Sequence, residues 1–387
     1  MPEAVIVDAV RTPIGRAFKG SLAQLRPDEM GAFIVDKLLE RNPEVDPALV
    51  EDVYCGCGLP QGLQAFNIAR IMVLLSEKLP KEVTGSTISR YCASSLEAIR
   101  QAANAIRAGE GDVYIAAGVE WVSRYNEAVE GARPQDQNPK LQGNDGQPNA
   151  YIAMGLTAEN VAERYEVSRA EMDKYAQRSQ ELAVASQDSG FFDREIVPVT
   201  LPDGTVVAKD DGPRRESSIE KLAQLEPAFK PGGKVTAGNS CPLNDGAAAV
   251  LLMSDTKAKE LGVKPRARIV TAATWGNEPE YMGVAPIGAI RKVLKRAGMT
   301  MDDIDIVELN EAFAAQVIPI MNECNIPLEK LNPHGGAIAL GHPFGMTGAR
   351  IMCTLLNGLE TDDKQIGLET MCVAGGQGEA MIVERLN

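Results

Sequence analysis

The sequence predicts an α/β protein made of two similar halves packed together, with an insertion between them. A weak internal repeat predicts the halves. In the first copy, VDPALVEDVYCGC leads to STISRYCASSLEAIRQAANAIRAGEGDVYIAAGVE. In the second, MTMDDIDIVELNEAFA leads to LNPHGGAIALGHPFGMTGARIMCTLLNGLETDDKQIGLETMCVAGG. Each reads acidic turn, strand, connection, glycine- or serine-rich turn, helix, strand. A change of composition between about Trp121 and Asp245 predicts the insertion.

The elements follow in order. MPEAVIVDAVRTP carries Glu3 and Asp8 around a short β-like run, so it reads as a first strand and not as a signal peptide. After Cys92, the apolar residues Leu96, Ile99, Ala103 and Ile106 recur at helical spacing. DVYIAAG, a short apolar run closed by glycine, reads as the strand that follows. The insertion opens with the polar stretch PQDQNPKLQGNDGQPNA, which no packed core would use. A helical pattern from Thr157 to Ser189 comes next, with a capping-type start at Thr157 and Glu159 and a stop at Gly190. A basic segment from Lys209 to Lys234 includes Arg214, Arg215, Lys221 and Lys230. Roughly 125 residues with two helices is too long for a solvated linker and reads as a lid or binding loop domain. In the second copy DIDIVEL is a strand, Ile351, Met352, Leu355, Leu356 and Leu359 mark a helix after Gly348, and IGLETMCVAG is the strand behind it.

Composition narrows the function. The chain has 387 residues, 44% hydrophobic and 24% charged, as expected of a large folded core. No apolar stretch is long enough to span a bilayer. A formal charge of −14 argues against nucleic acid, although a local basic segment can hold a phosphorylated substrate. Seven cysteines with no disulfide-like spacing point to reduced thiols and a cytoplasmic location. Cys55-Gly56-Cys57 lacks metal spacing and a nearby histidine, so no metal site is expected.

Three segments carry reactive groups at strand-to-helix junctions: Cys92, His342 and Cys372. Cys92 is placed in the first turn of the helix beginning near Ala93, where unpaired N–H groups favour a thiolate and can meet an oxyanion. A free cysteine is otherwise a small buried hydrophobe. His342, one of only two histidines, lies in LGHPFGMTG before a helix starting near Gly345 and matches Cys92 in the repeat. Pseudo-twofold packing can bring it to the thiol as a base, the alternative being a structural imidazole. His334, in NPHGG, fits a simple turn. Cys372 opens VAGGQG, only a weak phosphate-loop match. A dinucleotide fold would need a helix, a strand and an acid about 20 positions on. The remaining role for its glycines is close approach of N–H groups to a carbonyl, with Cys372 as acid and base. Asn310, in ELNEAFA, can hold a water or cap a helix.

CASSLEAI at Cys92, NEAFA at Asn310, GGAIALGHPFGMTGAR and CVAGGQGEA together resemble the thiolases, as do VDAVRTPIGRAFKGSL and VTAGNSCPLNDGAAAV. The resemblance covers nearly the whole chain. It implies a thiolase-like α/β fold of two pseudo-symmetric αβαβα halves, 1–120 with 246–264 and 265–387, and a loop domain at 121–245. It also implies a homodimer or homotetramer with no tightly bound cofactor, using coenzyme A and acyl-CoA as substrates. By that analogy Cys92 attacks a 3-ketoacyl-CoA and becomes acylated. Cys372 handles the proton of the acetyl-CoA enolate, and His342 activates Cys92 and, with a water held by Asn310, stabilises the enolate. The backbone N–H groups of Cys92 and Ala374 form a second oxyanion hole. Arg214, Met154 and Cys241 are implied contacts along coenzyme A.

Four positions depart from the family pattern: Ser95 and Ala374 replace glycines, Cys241-Pro242 replaces Ser-Gly, and Ala153 replaces a histidine of the biosynthetic branch. Ser95 is expected to crowd the nucleophile turn or change acyl selectivity. Two other functions compete. A ketoacyl synthase of the same fold pairs its cysteine with two histidines, or with histidine and asparagine, and lacks the terminal cysteine. A non-catalytic acyl-CoA-binding scaffold is the reading from a different class.

Overall fold

A computed structural model of the protein describes residues 2–124 and 137–386. β1 (Ala4–Arg11) and the two-residue β2 (Gly15–Arg16) lead to α1 (Pro27–Arg41), β3 (Asp52–Gly56), α2 (Ile68–Leu75), β4 (Thr84–Ile88), α3 (Ser94–Ala108) and β5 (Val113–Trp121). The insertion supplies α4 (Met154–Arg164), α5 (Arg169–Asp188), the short pair β6 (Val199–Thr200) and β7 (Val206–Val207), and α6 (Ile219–Ala223). β8 (Asn244–Ser254), α7 (Asp255–Leu261), β9 (Ala267–Gly276), α8 (Ala285–Ala297) and β10 (Ile306–Leu309) follow. The chain finishes with α9 (Ala314–Glu323), α10 (Ala337–Leu340), α11 (Thr347–Thr361), β11 (Ile366–Val373) and β12 (Gln377–Arg385).

The repeat is visible in the strand pairing. In the first half β3 runs parallel to β5, β5 antiparallel to β8, and β8 antiparallel to β1. In the second, β10 is parallel to β11, β11 antiparallel to β12, and β12 antiparallel to β9. The halves join where Val5 and Ile6 of β1 pair with Arg268 and Ala267 of β9. Between β11 and β12 lies only the turn 374–376, whereas the same step in the first half, β5 to β8, holds the insertion.

Both halves turn one face towards a shared central layer. Leu96, Ile99, Ala103 and Ile106 of α3 and Ile351, Met352, Leu355, Leu356 and Leu359 of α11 are buried there, as their spacing predicts. They pack on Ile6, Val250 and Leu252 on one side and on Met371, Val373, Met381 and Val383 on the other. A fully buried leucine or isoleucine contributes about 2 kcal/mol, so this layer is a principal stabilising contact of the fold. α1 and α2 cover the outer face of the first half, and α8 and α9 cover that of the second, giving five layers.

The insertion differs from its sequence expectation in one respect. The pattern from Thr157 to Ser189 is two helices, and the first starts at Met154. Thr157 does not cap: its hydroxyl donates to Met154 O at 2.6 Å, inside the helix. Glu166, at φ +53°, breaks the pattern, and Ser168 with Glu171 forms the capping box that starts α5. Of the polar stretch 134–150, residues 134–136 lie outside the described residues, and 143–148 are exposed.

Candidate active site

Cys92 sits in a 3-10 turn, Tyr91–Ala93, that runs directly into α3. Tyr91 holds φ at +42°, an uncommon conformation for a residue with a side chain, and is half-exposed. Ser94 braces the turn: its Oγ accepts from Arg90 N at 2.9 Å and donates to Tyr91 O at 2.6 Å. The backbone N–H of Ala374, from the β11–β12 turn, faces the sulfur of Cys92 and favours its thiolate. Burial, with the Cys372 and Cys241 thiols nearby, raises the Cys92 thiol well above its ordinary value, and the Ala374 N–H acts against this. The net direction is opposite to the one expected from a helix N-terminus alone, because desolvation outweighs the helix end. Cys92 therefore rests as a thiol and needs a base.

His342 is almost wholly buried. Its Nδ1 lies 2.7 Å from Thr347 Oγ1, and that hydroxyl donates to Pro343 O at 2.7 Å. The hydroxyl's only proton is thus used, so Nδ1 carries the imidazole proton and Nε2 keeps a lone pair. Asn310 Nδ2 approaches Nε2 at 3.3 Å. Burial and the Arg350 guanidinium lower the imidazole to about 3, leaving it neutral. Asn310 directly follows β10, is fully buried, and its Oδ1 has no partner among the described residues. It does not cap α9, whose cap is Phe313, so the helix-cap alternative is excluded.

Cys372 ends β11 two residues before Ala374 and is fully buried, which pushes its thiol up to about 11. The Cys92, Cys241 and Cys372 thiols lie close enough to influence one another. His334 is elsewhere, stacked on Phe191 at 3.7 Å with Nε2 2.9 Å from Asp362, in the structural role its turn suggests.

Two buried carboxylates that the sequence reading missed hold these turns. Glu120 of β5 accepts from Gly58 N and Gly345 N at 2.7 Å each and from Gln64 Nε2 at 2.7 Å. It thereby ties the loop after β3 to the His342 turn. Gly345 must be glycine, since a Cβ would sit 2.6 Å from Cys57 Cα. Glu311, beside Asn310, accepts from Tyr175 Oη at 2.7 Å and Ser179 Oγ at 2.6 Å on α5, and from Asn332 Nδ2 at 2.7 Å. It anchors the insertion to the site.

A cavity of about 440 Å³, which none of Cys92, His342, Cys372 and Asn310 lines, is bordered by Arg16, Arg214, Arg215, Lys221, Leu222 and Leu225 among others. Arg215 is paired with Asp188 and Lys221 with Glu216. Among the described residues no carboxylate pairs with Arg16 or Arg214, and burial together with the Arg16 charge lowers Arg214. Arg16, which sequence reasoning did not single out, signalled itself only by sitting in the VDAVRTPIGRAFKGSL match. Pro242 and Ile338 join the lining, whereas Met154 and Cys241 do not. Met154 packs at the start of α4 against the outer core, and the Cys241 N–H donates to Ala312 O at 3.0 Å.

Family models described as "Thiolase, N-terminal domain" and "Thiolase, C-terminal domain" match residues 4–256 and 263–385. The chain belongs to the thiolase family. Among its relatives, a beta-ketoadipyl-CoA thiolase of Acinetobacter baylyi is 44% identical, and a 3-ketoacyl-CoA thiolase of Klebsiella pneumoniae is 43% identical. Both alignments cover all of each chain. The crystal structure of the dimeric peroxisomal thiolase of Saccharomyces cerevisiae superposes with a TM-score of 0.93 at 38% identity, over 100% of this chain and 98% of that one. The Bacillus anthracis acetyl-CoA acetyltransferase gives 0.90 at 39% identity, over 100% and 99%. This thiolase is accordingly an acyltransferase that works with coenzyme A.

The departures from the family pattern now have places. Ser95 is buried, and its Oγ accepts from Ala349 N at 2.9 Å. Ser95 thereby bridges α3 and α11. Ala374 has a negative φ, and the left-handed positions in its turn are Gly375 and Gly376, so a methyl group is tolerated. Ala153 is the residue before α4 and makes no side-chain cap.

Proposed function

We propose that this thiolase cleaves 3-ketoacyl-CoA with coenzyme A, giving acetyl-CoA and a shortened acyl-CoA, and runs the reverse Claisen condensation with the same groups. Cys92 is the nucleophile. His342 Nε2 takes its proton as the sulfur attacks the keto carbon, and the N–H groups of Cys92 and Ala374 receive the charge that develops on that oxygen. The carbon–carbon bond breaks, and the enolate of acetyl-CoA leaves with its oxygen near protonated His342 and a water held by Asn310. Cys372 protonates the enolate carbon, then takes the proton of the incoming coenzyme A thiol, which attacks the acyl-enzyme. Arg16 and Arg214 hold the phosphate end of coenzyme A, with Leu222 and Leu225 against its adenine.

The observation that supports this reading is the approach of the Ala374 N–H and the Cys372 thiol to the Cys92 sulfur, in a turn packed against the one that follows His342. The names of relatives support 3-ketoacyl-CoA as the substrate class and a place in fatty acid β-oxidation. The seven free thiols support a reducing, cytoplasmic setting. A homodimer is supported by the outer edge of β4, which no strand covers among the described residues, next to exposed Phe66, Leu74 and Leu75. The test is loss of acetoacetyl-CoA absorbance in the presence of coenzyme A. Turnover is expected; coenzyme A binding without turnover at any chain length would overturn the proposal in favour of a scaffold.

A further inference from the structure

Gln316 lies in the first turn of α9 and is wholly buried. Its Oε1 is 3.3 Å from Cys372 Sγ, while its Nε2 has no hydrogen-bond partner among the described residues. A buried amide N–H without an acceptor is rare and calls for an explanation. The two protonation states of Cys372 supply one. A thiol donates and needs an acceptor, and a thiolate only accepts and needs a donor. A carboxamide carries both within one volume, and half a turn about its last side-chain bond exchanges them.

We propose that Gln316 is the positioning residue of the acid/base cysteine, presenting Oε1 to the Cys372 thiol and Nε2–H to its thiolate. The inference rests on the reading above in which Cys372 moves the proton. When the thiolate takes a methyl proton from acetyl-CoA, a C–H bond breaks, an S–H bond forms and the electron pair moves to the thioester oxygen. Gln316 exchanges hydrogen bonds only. Gly283 opposite leaves room for the turn: a Cβ there would sit 3.0 Å from Gln316 Cβ and 3.6 Å from its Oε1. The Nε2–H bond to the thiolate is charge-assisted and outweighs the thiol's bond to Oε1, so the amide favours the thiolate while burial opposes it. The titratable groups that act with Cys372 across the pocket are the Cys92 and Cys241 thiols, with Glu311 acting on Cys241. Glu369 and Glu379 lie on the opposite face of the β11–β12 pair.

The test separates the two half-reactions of the full-length enzyme. Acetylation of Cys92 by acetyl-CoA is read by mass spectrometry, and deuterium uptake from D2O into the methyl group of acetyl-CoA is read by NMR. Gln316→Met keeps length without donor or acceptor. It is expected to acetylate Cys92 at least as fast as Cys372→Ala does, to lose methyl exchange at least about tenfold, and to move the rising limb of the exchange pH profile upward. Gln316→Glu keeps an acceptor, adds a like charge and is expected to move the limb further; it also decides the matter should the methionine variant not fold. Exchange on an unshifted limb, whatever its rate, would overturn the role of Gln316. Exchange that survives in Cys372→Ala would instead overturn the assignment of Cys372.

Discussion

Ser95 on α3 accepts a hydrogen bond from the backbone N–H of Ala349 on α11 at 2.9 Å, joining the helix behind the nucleophile to the helix behind the base. Ala349 is in the first turn of α11, where N–H groups have no partner within the helix, so the hydroxyl satisfies a buried donor. Ser95→Ala is expected to destabilise the protein by about 1–2 kcal/mol in urea unfolding, with the acyl-chain preference unchanged. A changed preference at unchanged stability would contradict this placement.

Cys92→Ala is expected to abolish labelling by acetyl-CoA, whereas Cys372→Ala still accepts an acyl group, slowly, on Cys92. Peptide mapping checks both. Cys241 makes the measurement decisive, because it is a third thiol in the same pocket and partly exposed. An acyl group found there would refute the nucleophile assignment.

Arg16→Ala and Arg214→Ala are each expected to weaken coenzyme A binding by roughly tenfold, with a shallower dependence on salt. Calorimetry across ionic strengths reads both. Because the two guanidiniums repel one another when the site is empty, the double variant should lose less than the sum of the singles.

The pH behaviour of His342 follows from its lowered pKa of about 3 against 6.5 for a free imidazole. Between those values the unfolded chain binds the proton and the folded one does not. This group therefore withdraws stability as pH falls from 6.5 towards 3 and leaves it unaffected above 6.5. With only two histidines, NMR can follow each ring. The resonance missing from His342→Asn should keep its neutral shift down to about pH 4.

Phe66 is 90% exposed, so Phe66→Asp should not disturb the fold of the subunit. If β4 and its apolar neighbours form the subunit contact, the substitution should shift sedimentation towards monomer. An unchanged sedimentation coefficient would place the contact elsewhere.

The architecture was readable because its signals are periodic: the apolar stripes of α3 and α11 lie on the faces their spacing predicts, and the repeat reappears in the strand pairing. Cys92, His342 and Cys372 drew attention in the sequence because reactive side chains stood in glycine- or serine-rich turns. Gln316, Glu120 and Glu311 were not, since glutamine or glutamate on an ordinary helix or strand has no local signature. Their roles arise from partners far away in sequence, as in the 225 positions between Glu120 and Gly345. The bridge made by Ser95 was not legible for the same reason: its partner Ala349 lies 254 positions away.

The position of β12 has a consequence for biogenesis. It is hydrogen-bonded on both sides, to β11 and to β9, although it runs to Arg385. The sheet of the second half therefore cannot close during translation until that segment has cleared the ribosome, and α8 and α11 have no finished surface to dock on before then. Premature termination anywhere upstream of β12 should yield chains that are destroyed by quality control, with no partly active product.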